Sequence, residues 1–314
     1  MTQRRSDATT DPAAADARPV VPPVRPGPAD PPLLISLAQW SLREDLWSGR
    51  LDPLDFGPHA ARTWGIRAVE YVNSFFKDRA RDARWLGELR ARAEDAGVRS
   101  LLIMCDGEGR IGDPDDAARG QAVENHRRWL EAAEALGCHS IRVNAASAGS
   151  RGEQARLAAD GLRRLCELGE AHRMNVIVEN HGGWSSDGSW LADVMRRVDH
   201  PRVGTLPDFG NFDLGGGRTY DRYRGTAELM PWARAVSAKS HDFDPATGEE
   251  SGKDYARLLD IVIANGYRGW IGIEYEGTRL PADEGVAATK RLMDRILAER
   301  ASGERPAAAG GGGA

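Results

Sequence analysis

The sequence predicts a single closed (β/α)8 barrel, and two observations favour this fold class. Short aliphatic runs alternate eight times with helical patterns between residues 33 and 300, which is typical of a parallel sheet. Four polar residues, Glu179, Asp208, His241 and Glu274, then end consecutive units at intervals of 29, 33 and 33 residues. One strand with its crossover helix takes about 30 residues. A doubly wound open sheet is the competing fold, but no glycine-rich nucleotide motif follows an early strand.

The composition divides the chain into three predicted segments. Residues 1–32 are rich in Pro, Ala, Asp and Arg and contain no aromatic residue, so we expect a disordered tail. Residues 33–300 form the predicted barrel domain. Residues 301–314 end in a run of Ala and Gly, and we expect a second disordered tail there.

The first half of the barrel domain contains four predicted strand–helix units. The strands are expected at 33–39, 66–72, 100–104 and 140–144. A helix begins at Asp52 and Pro53, and the next spans 78–96 with its apolar residues on one face. Asp113 and Pro114 are typical of a helix start, and Gly137 ends that helix. The fourth helix is expected at 153–172.

The second half contains the four strands that end at the polar residues. Their sequences are NVIVE, VGTLP, AVSAKS and WIGIE. An apolar stripe from Tyr255 to Ile263 predicts the helix between the last two strands, and the final helix is expected at 283–299. The glycine run 215–217 follows the sixth strand and is interpreted as a flexible loop.

Composition also limits the classes of partner and compartment. The net charge of −5 argues against nucleic acid and anionic membranes as partners. The three scattered cysteines give no disulfide framework, and no apolar run approaches the ~18 residues needed to span a bilayer. We therefore expect a cytoplasmic protein.

The four polar strand ends predict a metal site. Strand ends of a parallel barrel converge on one mouth, where active sites lie. Two Glu, one Asp and one His suit a hard or borderline divalent cation. We expect one ion, with Mn²⁺ as the first choice and Mg²⁺, Co²⁺ or Zn²⁺ as alternatives, and the predicted metal ligands are Glu179, Asp208, His241 and Glu274.

Neighbouring residues supply candidates for proton transfer and for substrate contacts. Side chains two apart on a strand share a face, so His181 accompanies Glu179 and Lys239 accompanies His241. The predicted catalytic residues are Glu179, Glu274, His181 and Lys239. The predicted substrate-binding residues are Glu70, Asn144, Trp40 and Trp184.

Several strings resemble one known family. GIRAVEYVN, GCHSIRVNAAS, VIVENH, TLPDFGNF, AKSHDFD and GIEYEG are similar to sequences of the xylose-isomerase-like TIM-barrel superfamily of sugar phosphate isomerases and epimerases. The resemblance covers about 33–298, and the four predicted ligands fall where that family has Glu, Asp, His and Glu. It implies one divalent metal, a small carbohydrate substrate and proton abstraction α to a carbonyl through an enediolate.

Departures from the family patterns leave the reaction open. Apurinic endonucleases have a His where this chain has Asn211, which disfavours a nuclease. Ketose 3-epimerases carry a Glu and an Arg where this chain has Ser185 and Thr247. A metal-dependent isomerase or epimerase is the first expectation. A lyase or hydratase that acts on 3-keto-glycosides, including carbon-linked ones, is the second, and a barrel that binds a sugar or a partner without turnover is the third. Homo- or hetero-oligomers are compatible with all three.

Overall fold

The computed structural model describes residues 31–302. Eight parallel strands form one sheet in the order β6-β5-β4-β3-β2-β1-β10-β9, and a separate two-stranded hairpin pairs β7 with β8. The strands are β1 (Leu33–Ala38), β2 (Ala68–Val72), β3 (Arg99–Met104), β4 (Ser140–Val143), β5 (Asn175–Glu179), β6 (Val203–Leu206), β7 (Asp213–Gly215), β8 (Arg218–Thr219), β9 (Val236–Ser240) and β10 (Gly269–Tyr275). Of the predicted tails at 1–32 and 301–314, residues 1–30 and 303–314 lie outside the described residues, whereas residues 301 and 302 belong to the last helix.

The sheet curls until its two edge strands meet. The amide of Phe209, just after β6, donates to the carbonyl of Ser237 at 3.0 Å, and the Ser237 amide donates to Pro207 at 2.9 Å. These bonds bring the edge of β6 against β9 and leave a nearly closed barrel. The predicted (β/α)8 fold is therefore confirmed, and the open doubly wound sheet is excluded.

Helices surround the barrel and keep its strands in place. They are α1 (Arg43–Trp47), α2 (Phe56–Trp64), α3 (Ala83–Asp95), α4 (Asp116–Asn125), α5 (Arg127–Leu136), α6 (Arg151–Glu170), α7 (Gly188–Val198), α8 (Arg222–Leu229), α9 (Tyr255–Ala264) and α10 (Ala282–Ser302). None of these helices is long and apolar enough to cross a membrane.

Strand alternation sorts the core into two apolar layers. Val176 and Val178 on β5 belong to the large cluster that includes the helical residue Leu162. Ile177, between them, belongs to a second cluster with Met104 of β3. Since side chains alternate across a strand, Glu179 shares the barrel-interior face of Ile177. The alternation of β5 thus carries a carboxylate to the inside of the barrel mouth.

Two local predictions need correction. The helix expected from Asp113 begins after Asp115, because the Asp115 side chain accepts the Ala118 amide at 2.8 Å, and it is interrupted at His126 to give α4 and α5. The glycine run 215–217 is a tight hairpin between β7 and β8, and not a loop without secondary structure. All three glycines have positive φ, a conformation that glycine adopts without steric cost.

Close packing of α6 against the loop before α4 gives a stability prediction. A Cβ built on Gly161 meets the carbonyl carbon of Ile111 at 2.9 Å, whereas one on Gly87 of α3 meets nothing within 4 Å. We expect Gly161→Ala to lower the free energy of unfolding by about 3 kcal/mol. The control Gly87→Ala is expected to raise it by roughly 0.5–1 kcal/mol, because alanine favours a helix. Urea unfolding measures both, and equal effects of the two variants would contradict the packing.

Candidate functional site

Three buried carboxylates converge at the barrel mouth. Glu179 ends β5, Asp208 follows β6 by two residues, and Glu274 lies near the end of β10. Each offers one oxygen, and these oxygens all lie within 4.8 Å of one another. The three side chains are buried. We call Glu179, Asp208 and Glu274 the acidic trio. Because the strand ends of a parallel barrel meet at one mouth, the spacing that predicted their proximity has a direct structural cause.

Two buried cations accompany the trio. The Nε atom of Arg142 on β4 lies 2.9 Å from Oε2 of Glu179, and its Nη1 donates to Asp106 at 2.8 Å. The Lys239 ammonium on β9 lies 3.0 Å from Glu274 Oε1 and 3.2 Å from Glu276 Oε1. Buried charge is costly unless it is paired, so both cations stabilise the cluster of carboxylates.

The surroundings separate the pKa values of the carboxyl groups. Burial raises the pKa of Glu179 to about 8; Arg142 opposes this rise, and the carboxylates of Glu274 and Asp208 add to it. Burial also raises the pKa of Glu274. Burial also acts to raise the pKa of Glu276, but Lys239, Trp40 and Arg43 together outweigh it and leave the pKa of Glu276 below its usual range. Such separation is typical of sites that transfer protons.

A cavity of about 320 Å³ is lined by two members of the trio, Glu179 and Glu274. Trp40 forms part of its wall, and the Trp40 indole donates to Glu276 at 2.7 Å. His181 lies on another wall, where partial enclosure, with help from Arg142 and Lys239, lowers the pKa of the imidazole. The remaining lining residues are Val72, Ser74, Met104, Asp106, Arg142, Glu179, Glu274 and Glu276. The cavity therefore combines carboxylates, an imidazole and an aromatic face, which are groups that can hold and deprotonate a polyol.

The structure does not bring His241 to the trio. The imidazole is 47 % exposed, its Nδ1 lies 3.0 Å from Lys253 Nζ, and its Nε2 lies 4.0 Å from Glu276 Oε2. Among residues 31–302, the group of ligand atoms that meets at the barrel mouth includes the trio without His241. The backbone leaves the barrel after Ser240, and the His241 amide donates to Glu250 at 3.1 Å. The loop after β9 thus supplies the contacts of His241 with Glu250 and Lys253.

Ser237 occupies the place on β9 that faces the trio. Its hydroxyl donates to Asp208 Oδ2 at 2.6 Å and lies 3.4 Å from Glu274 Oε2. Lys239, two residues further along the same face, reaches Glu274 from the other side. The strand therefore presents a hydroxyl and an ammonium to the carboxylates.

The four predicted substrate-binding residues divide into two pairs. Trp40 lines the cavity, and Asn144 donates to Asp106 Oδ1 at 2.7 Å beside it. Trp184 packs against the guanidinium of Arg151 at 5.4 Å and does not line the cavity. Glu70 is fully buried below the trio, where it accepts the Ser36 hydroxyl at 2.7 Å. Trp184 and Glu70 thus do not line this cavity.

Glu70 gives a prediction for the pH dependence of stability. Burial raises the pKa of Glu70 from its ordinary value of 4.5 to about 7, although the hydrogen bond from the Ser36 hydroxyl acts to lower it. Between these two pH values the folded chain holds a proton that the unfolded chain has lost, so stability falls as the pH rises. At pH 8 we expect Glu70→Gln to be more stable than the unmodified protein by about 3 kcal/mol, and at pH 4 nearly equal to it. Urea unfolding at both pH values checks this, and a constant difference would contradict it.

Sequence reasoning did not select Arg142 and Ser237, two residues that contact the trio. Arg142 stands two residues before Asn144, and Ser237 stands two residues before Lys239. Both therefore share a strand face with a residue that had been selected. The same period-two argument, continued one step towards the barrel bottom, finds them.

The trio fits a divalent cation. Its donors are carboxylate oxygens, the ligands that Mg²⁺ and Mn²⁺ prefer. Asp208 is held in place because its Oδ1 accepts the amides of Gly210 and Asn211 at 2.7 and 2.8 Å. Arg142 and Lys239 form ion pairs with the trio, Asp106 and Glu276, so these five carboxyl groups outnumber the two cations. A buried acidic cluster of this kind could bind a divalent metal.

Comparison with solved structures supports the fold. IOLI protein with a bound zinc atom is 13 % identical, with 85 % of this chain and 98 % of that chain covered and a TM-score of 0.65. The 3-keto-D-glucoside 4-epimerase YcjR from E. coli is 16 % identical over 84 % and 100 %, with a TM-score of 0.62. A protein from Mycobacterium smegmatis in complex with magnesium is 17 % identical over 87 % and 98 %, with a TM-score of 0.60. At these identities the likeness concerns the fold alone.

A family model gives the more specific result. No curated protein sequence matches the chain significantly. The model described as xylose isomerase-like TIM barrel, in contrast, matches residues 58–296, which include every strand from β2 to β10 and the whole acidic trio. The chain belongs to the xylose isomerase-like TIM barrel family.

Proposed function

We propose that this protein is a divalent-metal-dependent isomerase or epimerase of a small carbohydrate. The observation that carries the proposal is the acidic trio, two of whose carboxylates, Glu179 and Glu274, line a cavity together with the imidazole of His181. When bound, a cation held by Glu179, Asp208 and Glu274 supplies the positive charge that polarises a substrate carbonyl. Mn²⁺ remains our first choice of metal.

The side chains of the cavity then move a proton between neighbouring carbons. Glu179 takes a proton from the carbon α to the carbonyl, with Glu274 as the alternative carboxylate. His181, which lines the same cavity, is the second acid or base. Lys239, held between Glu274 and Glu276, offers an ammonium that stabilises negative charge on the substrate oxygen. Return of the proton to the neighbouring carbon isomerises the sugar, and return to the opposite face epimerises it.

Two further proposals concern the catalytic unit and its compartment. We take residues 33–300 as the catalytic unit, because the trio and the cavity lie within it. We place the protein in the cytoplasm, because Cys105, Cys138 and Cys166 are buried and free, as is usual for a reducing compartment.

A lyase or hydratase acting on 3-keto-glycosides is the second candidate. Ser185 stands where ketose 3-epimerases carry a sugar-binding Glu. Its hydroxyl forms hydrogen bonds with the backbone of its own loop. It accepts the His181 amide at 3.0 Å and donates to Gly182 at 2.7 Å. Thr247, at the position of the epimerase Arg, is exposed. A structure like this one, that of YcjR, belongs to an enzyme of 3-keto-glucosides.

Product analysis tests the proposal. The protein is freed of metal with a chelator, reloaded with Mn²⁺ or Mg²⁺, and incubated with free ketoses and with 3-keto-glycosides, and the products are separated by chromatography. We expect an isomeric sugar to form in the reloaded sample alone. Release of an aglycone would favour the lyase, and binding without any product would favour the non-catalytic barrel.

A further inference from the structure

The register of the barrel identifies which residue of β9 meets the acidic trio. Asp208 forms a parallel bridge with Ser237, so these two residues lie at the same height in the barrel. Glu274 of β10 pairs with Lys239 in the regular ladder. His241 lies four residues beyond Ser237 and past the end of β9 at Ser240. Among residues 31–302, its imidazole is not part of the group of ligand atoms formed by Glu179, Asp208 and Glu274.

The His241 side chain has other partners. Lys253 Nζ lies 3.0 Å from His241 Nδ1 and donates to Glu250 Oε1 at 2.7 Å. Lys253 and Glu250 both belong to the loop after β9, and both are buried. The loop therefore holds the Lys253 ammonium in its position between Glu250 and His241. Because the ammonium donates to Nδ1, that nitrogen is occupied as an acceptor. Glu276 is the carboxylate nearest the other nitrogen.

We infer that Ser237, and not His241, completes the cation site of this chain, which therefore has only oxygen donors. The inference rests on the proposed metal dependence and specifies it. The Ser237 hydroxyl lies 2.6 Å from Asp208 Oδ2 and 3.4 Å from Glu274 Oε2, so it is in contact with two members of the trio. Lys239 occupies Oε1 of Glu274, and Oε2 of Glu274 faces Ser237.

An oxygen-only site has a chemical consequence. Imidazole nitrogen suits Zn²⁺ and related metals, whereas carboxylate, hydroxyl and water suit Mg²⁺ and Mn²⁺. Replacement of an imidazole by a hydroxyl among the metal ligands therefore lowers the affinity for Zn²⁺ relative to that for Mg²⁺ and Mn²⁺. The site thus takes Mg²⁺ or Mn²⁺, and Ser237 is the residue that determines this choice.

Metal titration of the full-length, chelator-treated protein tests the inference without reference to turnover. Affinities for Mn²⁺, Mg²⁺ and Zn²⁺ are measured by calorimetry for the unmodified protein and for His241→Ala, Ser237→Ala and Ser237→His. We expect His241→Ala to keep all three affinities within twofold, and Ser237→Ala to weaken Mn²⁺ binding several-fold. Ser237→His should raise the ratio of Zn²⁺ to Mn²⁺ affinity at least tenfold, because it adds a nitrogen donor.

Two results would overturn the inference. One is a tenfold loss of metal affinity in His241→Ala with no change in Ser237→Ala, and the other is the lack of any saturable binding by the unmodified protein. Circular dichroism shows whether each variant folds, and the Ser237→Ala comparison stands even if Ser237→His does not fold. Turnover is recorded on the same preparations. Selective metal binding without turnover would support the inference and contradict the proposed function.

Discussion

Replacement of Glu179 by Gln is expected to lower kcat/KM by about 10³-fold, within the usual range for the loss of a general base. The carboxylate is buried and lines the cavity, and in the proposed mechanism both the cation and the substrate proton depend on its charge. Gln keeps the size of the side chain. Its oxygen can still accept the hydrogen bond from the side-chain amide of Asn211, whose Nδ2 donates to Glu179 Oε1 at 2.8 Å in the unmodified protein. Steady-state kinetics with any substrate found in the product screen provide the measurement.

Two controls separate a loss of catalysis from a loss of folding. Circular dichroism shows whether Glu179→Gln folds, and a matched variant shows the effect of the same substitution elsewhere. Glu284→Gln makes the same chemical change on the exposed first turn of α10, and its kcat/KM should equal that of the unmodified protein. Full activity in Glu179→Gln would remove this residue from the proposed mechanism.

Replacement of Arg142 by Met is expected to lower the free energy of unfolding by about 3–5 kcal/mol. The guanidinium is buried between Glu179 and Asp106, and its loss leaves both carboxylates without their cation. It also supports the site, because Arg142 opposes the rise that burial causes in the pKa of Glu179. Urea unfolding at pH 7 in the presence of a chelator measures the change.

A double-mutant cycle separates this electrostatic effect from the loss of packing. In Arg142→Met combined with Glu179→Gln, one of the two unpaired charges is gone, so the double variant should be more stable than Arg142→Met alone. Arg92→Met, on the surface of α3, is the control and should cost less than about 1 kcal/mol. Strictly additive effects of Arg142→Met and Glu179→Gln would show that the buried ion pair does not exist in solution.

The barrel and the acidic trio were predictable because both depend on local patterns. Alternating apolar runs set the strands, and the carboxyl end of each strand marks the mouth of the barrel. This rule alone predicts that Glu179, Asp208 and Glu274 lie close together. The trio therefore follows from residue spacing, without any knowledge of how the helices pack.

The contribution of β9 was not predictable in the same way. The two-residue periodicity of a strand predicts one shared face for Ser237, Lys239 and His241. It does not predict which of these residues lies at the height of the trio along the barrel axis. The height is set by pairing with β10 and by the bridge from Asp208 to Ser237, which are long-range contacts. The loop that binds His241 to Lys253 is equally non-local. For the same reason the partners of Arg142 could not be found from its own strand.

Hydrogen–deuterium exchange at substrate carbon tests the central claim most directly. The Mn²⁺-loaded protein is incubated in D₂O with free ketoses and 3-keto-glycosides, the metal is removed with a chelator, and proton NMR follows each carbon-bound hydrogen. Our account predicts that deuterium enters at the carbon α to the carbonyl, and that Glu179→Gln and chelated protein leave that proton in place. Binding of these compounds with no exchange at any carbon would contradict it.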